Sequence, residues 1–170
     1  ISEREFRSEQ PWVPKLFLSY AHKDLKYLRQ LQQHLTILEN QKMISQWCDF
    51  QIEPSAEWQP EISKQLDEMD IFVGLVSTPF LASNFIQNVE VKRALERRER
   101  DGVPLVMIIL EQCSWQEFGF SKFQCILPDG QPVRKARSLG DAFYTVEEKL
   151  RVVLRSLRSR HQEPHQEGRG

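Results

Sequence analysis

Short apolar runs alternate with segments of helical period along most of this chain. That alternation restricts the fold more than any other feature. Residues 71–77 (IFVGLVS) form a continuous apolar stretch bounded by Asp70 and Thr78. A run of that length without polar alternation reads as a strand buried on both faces. Just before it, Trp58, Ile62, Leu66 and Met69 are spaced 4, 4 and 3, which places them on one face of a helix. Residues 15–20 (KLFLSY) and 103–110 (VPLVMIIL) are further strand candidates, the second introduced by Asp101-Gly102, and residues 43–49 are a shorter one. Leu28, Leu31, Leu35 and Leu38 recur at helical spacing, with Asp24 placed to cap that helix. A third helix is expected over about 83–100, and Phe143, Val146, Leu150, Val153 and Leu157 define a last one. Residues 111–137 show neither period, and Pro128, Asp129, Gly130 and Pro132 mark a turn within them. Strands separated by helices require right-handed crossovers. The expected fold is therefore α/β, a parallel sheet with helices on both faces.

Composition narrows the function classes. The chain has 170 residues, 40% hydrophobic and 28% charged, enough for one domain with a packed core. Lys plus Arg is 23 against 24 Asp plus Glu, so there is no basic surplus to recruit nucleic acid. The longest apolar run, residues 103–110, contains Pro104 and falls far short of the about 20 residues that span a bilayer. No membrane partner and no signal peptide are expected. Cys48, Cys113 and Cys125 form no CxxC pair and read as reduced thiols of a cytoplasmic protein. The chain begins at Ile1, which suggests a piece of something longer. Residues 1–12 read as a lead-in, 13–158 as the domain, and 159–170 as a polar tail or linker.

In parallel sheets of this kind ligands gather at the carboxyl ends of the strands. Those ends fall here at residues 19–24, 49–58 and 77–84. GxGxxG, GxxxxGK[ST], GxSxG and HExxH are all missing, which sets aside both phosphate cradles, the hydrolase elbow and the zinc helix. His22, His34, His161 and His165 have no metal-ligand spacing with a cysteine, so no metal is expected. A phosphoacceptor receiver would need acids at the first strand end and an Asp at the third, where Ser19 and Ser77 stand.

KLFLSYAHKD, WCDFQIEPSAEW and IFVGLVSTPFLASNFIQNVE, in this order, resemble a Toll/interleukin-1 receptor (TIR) domain. The likeness is to the bacterial type found as an N-terminal module of antiphage defence proteins, and it covers about residues 13–157. It implies a flavodoxin-like five-stranded parallel sheet. It also implies cleavage of NAD+ as substrate, with no further cofactor. The family's catalytic glutamate matches Glu90, which follows Ser83-Asn84-Phe85. Tyr20, Ala21, Lys23, Asp49, Trp58, Ser77, Phe80 and Ser83 match positions that would line the substrate pocket, with Lys23 near a phosphate. The loop carrying Ile52, Glu53 and Pro54 would cover that pocket or contact a neighbouring TIR domain.

The chemistry is consistent on its own terms. Breaking a nicotinamide–ribose bond generates an oxocarbenium-like sugar, as in glycoside hydrolysis. The pyridinium leaves neutral, so no general acid is needed, and one carboxylate can stabilise the developing cation. On a helical wheel Glu90 lies with Ile86, Ala94 and Arg97. Plainer readings stand beside these. Trp47 and Trp58 serve equally well as core anchors, Phe80 as packing, and Arg151, Arg155 and Arg158 as a solvated face. The expected function is a TIR NADase giving nicotinamide plus ADP-ribose or a cyclic isomer. It would be activated by self-assembly and joined to a C-terminal sensor domain. The alternative is a non-catalytic TIR scaffold that signals through homotypic contacts.

Overall fold

The computed structural model describes residues 11–48, 59–119 and 123–163. Five strands form one sheet: β1 (Lys15–Ser19), β2 (Ser45–Cys48), β3 (Ile71–Val76), β4 (Leu105–Ile109) and β5 (Gln124–Ile126). Their order is β2-β1-β3-β4-β5 and every pairing is parallel, the flavodoxin-like arrangement. The helices are α1 (Leu25–Asn40), α2 (Gln59–Glu68), α3 (Thr78–Ala82), α4 (Lys92–Asp101) and α5 (Leu139–Gln162). A π-helical turn, Ile86–Val91, runs directly into α4. Ser19 lies opposite Gly74, and Val76 opposite Ile109, so the carboxyl ends of β1, β3 and β4 meet at one edge.

Alternation along the central strands sorts their side chains into two cores. Leu16, Leu18, Ile71, Val73 and Leu75 face the leucines of α1 and the apolar face of α5. Phe17, Phe72 and Val76 face α2, α3 and the π-helical turn. Leu28, Leu31, Leu35 and Leu38 are all fully buried, and truncating any one to Ala should cost about 2–5 kcal/mol. Gly74 is small for a steric reason. A Cβ there would lie 2.8 Å from the Met107 sulfur and 3.2 Å from the Phe80 ring, both of which fill the space beside it.

Four sequence expectations need correction. Residues 111–137 are not wholly irregular. They contain β5, which is three residues long with only Ile126 buried, too short to show a period. The helix expected over about 83–100 is present, but it opens with the π-helical turn and is preceded by a separate short helix that the spacing did not show. Ser77 caps the short α3, Ser83 ends it in extended conformation (φ −76°, ψ 112°), and the π-helical turn starts afresh. The last helix continues through Ser159 to Gln162, and Trp12 stacks on His161 at 3.9 Å. The helix thus runs into the expected tail with residues 159–162 exposed, and Trp12 of the expected lead-in rests on it. The arginines of α5 are not simply solvated. Arg151 donates to Gln41 at 2.7 Å and to Glu147 at 3.3 Å, and Arg158 donates to the Lys42 carbonyl at 2.6 Å. They hold the left-handed turn at Lys42 (φ 59°) that ends α1, while Arg155 is exposed.

Candidate functional site

The site is built where β1, β3 and β4 end. After β1 the chain passes Tyr20, half-buried against the α1/α5 core, and Ala21, buried in the opposite one. It then makes a 3-10 turn, His22–Asp24. Lys23 is exposed there, open to an incoming anion. Asp24 stands at the start of α1, but its side chain makes no cap bond. Its carboxylate instead accepts from the hydroxyl of Ser77, across the sheet edge. Burial pushes the Asp24 pKa up. The Ser77 bond opposes that shift, Glu111 adds to it, and Arg134 opposes it.

Ser77 is fully buried and occupied on both sides. It donates to Asp24 and accepts from the Phe80 amide at 3.2 Å, the N-cap bond of α3. Glu111, the first residue after the apolar run of β4, accepts from the Thr78 amide at 2.9 Å and pairs with Arg134 at 2.7 Å. The Thr78 bond holds the Glu111 pKa below the usual range despite partial burial, with Arg134 assisting. The first turn of α3 is thus gripped from two other strand ends. Nothing in a period or motif marks Glu111 or Arg134. Only Glu111's position directly after a strand run could have drawn attention to it.

At its far end α3 is joined to the π-helical turn. Ser83 Oγ accepts from the Ile86 amide at 3.2 Å, and Gln87 Nε2 donates to the Phe80 carbonyl at 3.2 Å. The π-helical turn carries Glu90, which is 6% exposed. Its helical-wheel companions Ile86, Ala94 and Arg97 are buried with it. A glutamate is seldom this buried in a core, and π-helical turns are enriched at functional sites. Arg97, two turns on, donates to the carbonyls of Leu66 and Asp67 at 2.6 Å and Met69 at 3.0 Å. It satisfies orphan carbonyls at the end of α2.

The other expected residues divide three ways. Ser83 sits beside the glutamate's turn and caps it. Phe80 is fully buried among Gly74, Met107 and Phe72, so its ring packs inside the fold. Trp47 is half-buried with its ring 5.2 Å from that of Phe17, a core contact on β2. Asp49, Ile52, Glu53, Pro54 and Trp58 lie outside the described residues. Among the described residues no three His, Cys, Asp or Glu side chains converge as metal ligands would. No described helix is long and apolar enough to cross a membrane.

Comparison with known proteins settles the family. The family model of the TIR domain matches residues 16–136, most of the chain. The chain belongs to the TIR domain family. An uncharacterized protein of Sinorhizobium fredii (strain NBRC 101917 / NGR234), y4lF, is 31% identical over 139 residues. That alignment covers 82% of this chain and 43% of the relative, so the chain spans less than half the length of the protein it matches. The match to the TIR family runs from β1 through β5 and includes all three strand ends that meet at the site.

Proposed function

We propose that this TIR domain cleaves NAD+ at the nicotinamide–ribose bond, with Glu90 as the catalytic carboxylate. The observation that carries the reading is a glutamate 6% exposed on the π-helical turn that follows α3. The field of a carboxylate is strong where water is scarce. In the reaction the C1′–N bond breaks and its electron pair leaves with nicotinamide, which departs neutral. The ribose is left as an oxocarbenium ion, and Glu90 stabilises that charge as it develops. Water then attacks C1′ and loses a proton, giving ADP-ribose. Attack by a nucleophile within the same molecule gives a cyclic isomer. Lys23, exposed at the end of β1, supplies a cation for the pyrophosphate. Tyr20 and Ala21 line the approach, and Ser83 holds the turn. The loop bearing Ile52, Glu53 and Pro54, with Asp49 and Trp58 at its ends, meets a neighbouring TIR domain, so activity depends on self-assembly. In a longer protein this module acts in the cytoplasm as the effector of a bacterial defence or immune-signalling system.

A second reading, a non-catalytic scaffold, draws on the positions of Ser77 and Phe80. Both are fully committed to internal contacts, which leaves fewer groups to meet a nucleotide. The two readings separate in one assay. The protein is incubated at high concentration with NAD+ or NADH, and base release is followed by chromatography. Nicotinamide should appear from NAD+, whereas NADH should survive, because its dihydropyridine is not a cationic leaving group. No release from NAD+, free or with the protein crowded on beads, would overturn the enzyme reading in favour of the scaffold.

A further inference from the structure

The hydrogen bonds around α3 form a continuous connection from the end of β1 to the turn that carries Glu90. Asp24 accepts from Ser77. Ser77 accepts from the Phe80 amide at 3.2 Å. The Phe80 carbonyl accepts from Gln87 Nε2 at 3.2 Å, and Gln87 lies three residues before Glu90 on the same π-helical turn. The Gln87 amide is also bonded to the Ser83 carbonyl at 3.1 Å. A five-residue helix has little stability of its own. Its orientation is set by what grips its ends, and here one end is held by buried Asp24 through Ser77 while the other holds the glutamate's turn.

We propose that Asp24 is a positioning residue for Glu90, acting through Ser77, α3 and Gln87. The proposal rests on the reading of Glu90 as catalytic. The neighbouring grip of Glu111 on the Thr78 amide is exposed, so the buried Asp24–Ser77 bond is the tighter constraint on α3. Its loss lets α3 and the π-helical turn shift together. A displacement near 1 Å at a reacting group costs about 10² in rate.

The test uses Asp24→Ala, which removes the acceptor, and Asp24→Asn, which keeps an oxygen for Ser77. Gln87→Met cuts the connection at its other end while keeping the side chain's length. Steady-state NAD+ cleavage and deuterium uptake across residues 84–91 are measured on each. Asp24→Ala and Gln87→Met should lower kcat about ten- to a hundredfold with KM within about threefold. Uptake over 84–91 should rise about tenfold in both. Asp24→Asn should restore most of both signals. The double variant should lose no more than the worse single variant, since both cut one connection. If Asp24→Ala does not fold, Gln87→Met and Asp24→Asn carry the comparison. Unchanged uptake and kcat in Gln87→Met would overturn the proposal, as would a fall in thermal stability with kcat unaltered. Glu90→Gln is run alongside. If wild type itself releases no nicotinamide, the catalytic reading fails. Uptake over 84–91 then still decides whether Asp24 sets the turn.

Discussion

Arg97 gives the sharpest test of how the glutamate's helix is fixed to the rest of the molecule. The residue is 8% exposed; its guanidinium donates to three carbonyls at the end of α2, and its Nε donates to Asp101 at 2.6 Å. Arg97→Met keeps the aliphatic stem and removes every donor. The bonds to Leu66 and Met69 are buried, and stranding a buried acceptor costs about 1–3 kcal/mol. The Asp67 carbonyl is only part-buried and regains water. Relief of the desolvation borne by the buried cation offsets some of the loss. The net destabilisation should be about 3 kcal/mol. At about 2–4 °C per kcal/mol for a chain near this size, the melting temperature should fall by about 6–12 °C. Asp101→Asn neutralises the exposed pair with Arg100 and the part-buried one with Arg97 while keeping an acceptor oxygen, and should melt within about 2 °C of wild type. Scanning calorimetry on the three proteins decides the matter. If Arg97→Met melts within about 2 °C of wild type, the carbonyl bonds are not what joins α4 to α2. If Asp101→Asn falls as far as Arg97→Met, the ion pair and not the cap is responsible.

Asp101 bonds both Arg97 and Arg100, which hold its pKa at about 2; a carboxyl titration by NMR should find it there, and a value near 3.8 would show the contacts are not kept in solution. Asp70 accepts from the Lys15 amide at 2.7 Å, and burial raises its pKa above 3.8. Its ionised form is therefore disfavoured in the fold, and the stability it contributes when protonated is lost as pH rises through the raised value. Asp70→Asn should melt above wild type near neutrality, with the gap closing as pH falls toward 3.8, and a gap that widens on acidification would reverse the sign. Rate per molecule of NAD+ cleavage should rise when the domain is crowded on beads; a constant rate over a hundredfold dilution series would remove the assembly requirement.

The sheet was legible because its central strands are long apolar runs with no competing period. β1, β3 and β4 all fall inside the expected segments. What escaped was set by partners distant in sequence. β5 is a three-residue edge strand whose pairing with Val106, Met107 and Ile108 supplies the stability its own residues lack. Asp24 has the residue type and position of a helix cap, and only the approach of Ser77, 53 residues away, reveals that its carboxylate is used elsewhere. Ser77 and Phe80 stand at a strand end, as ligand-binding residues do, yet Gly74 opens a space that Phe80 fills. The burial of Glu90 was partly legible from its wheel companions Ile86, Ala94 and Arg97, which are buried with it, whereas its candidacy for catalysis came from the resemblance to the family. The π-helical geometry of its turn left no trace in the spacing.

Glu90→Gln tests the central claim most directly. Glutamine keeps the size and hydrogen-bonding reach of the side chain and removes only the charge that would stabilise the sugar cation. Nicotinamide release from NAD+ is measured on wild type and variant at matched, high concentration, with melting temperature recorded for both. Release should fall about 10²–10³-fold while the melting temperature holds, since glutamine keeps the side chain's size. A variant that cleaves NAD+ within about threefold of wild type would show that Glu90 is not the catalytic carboxylate.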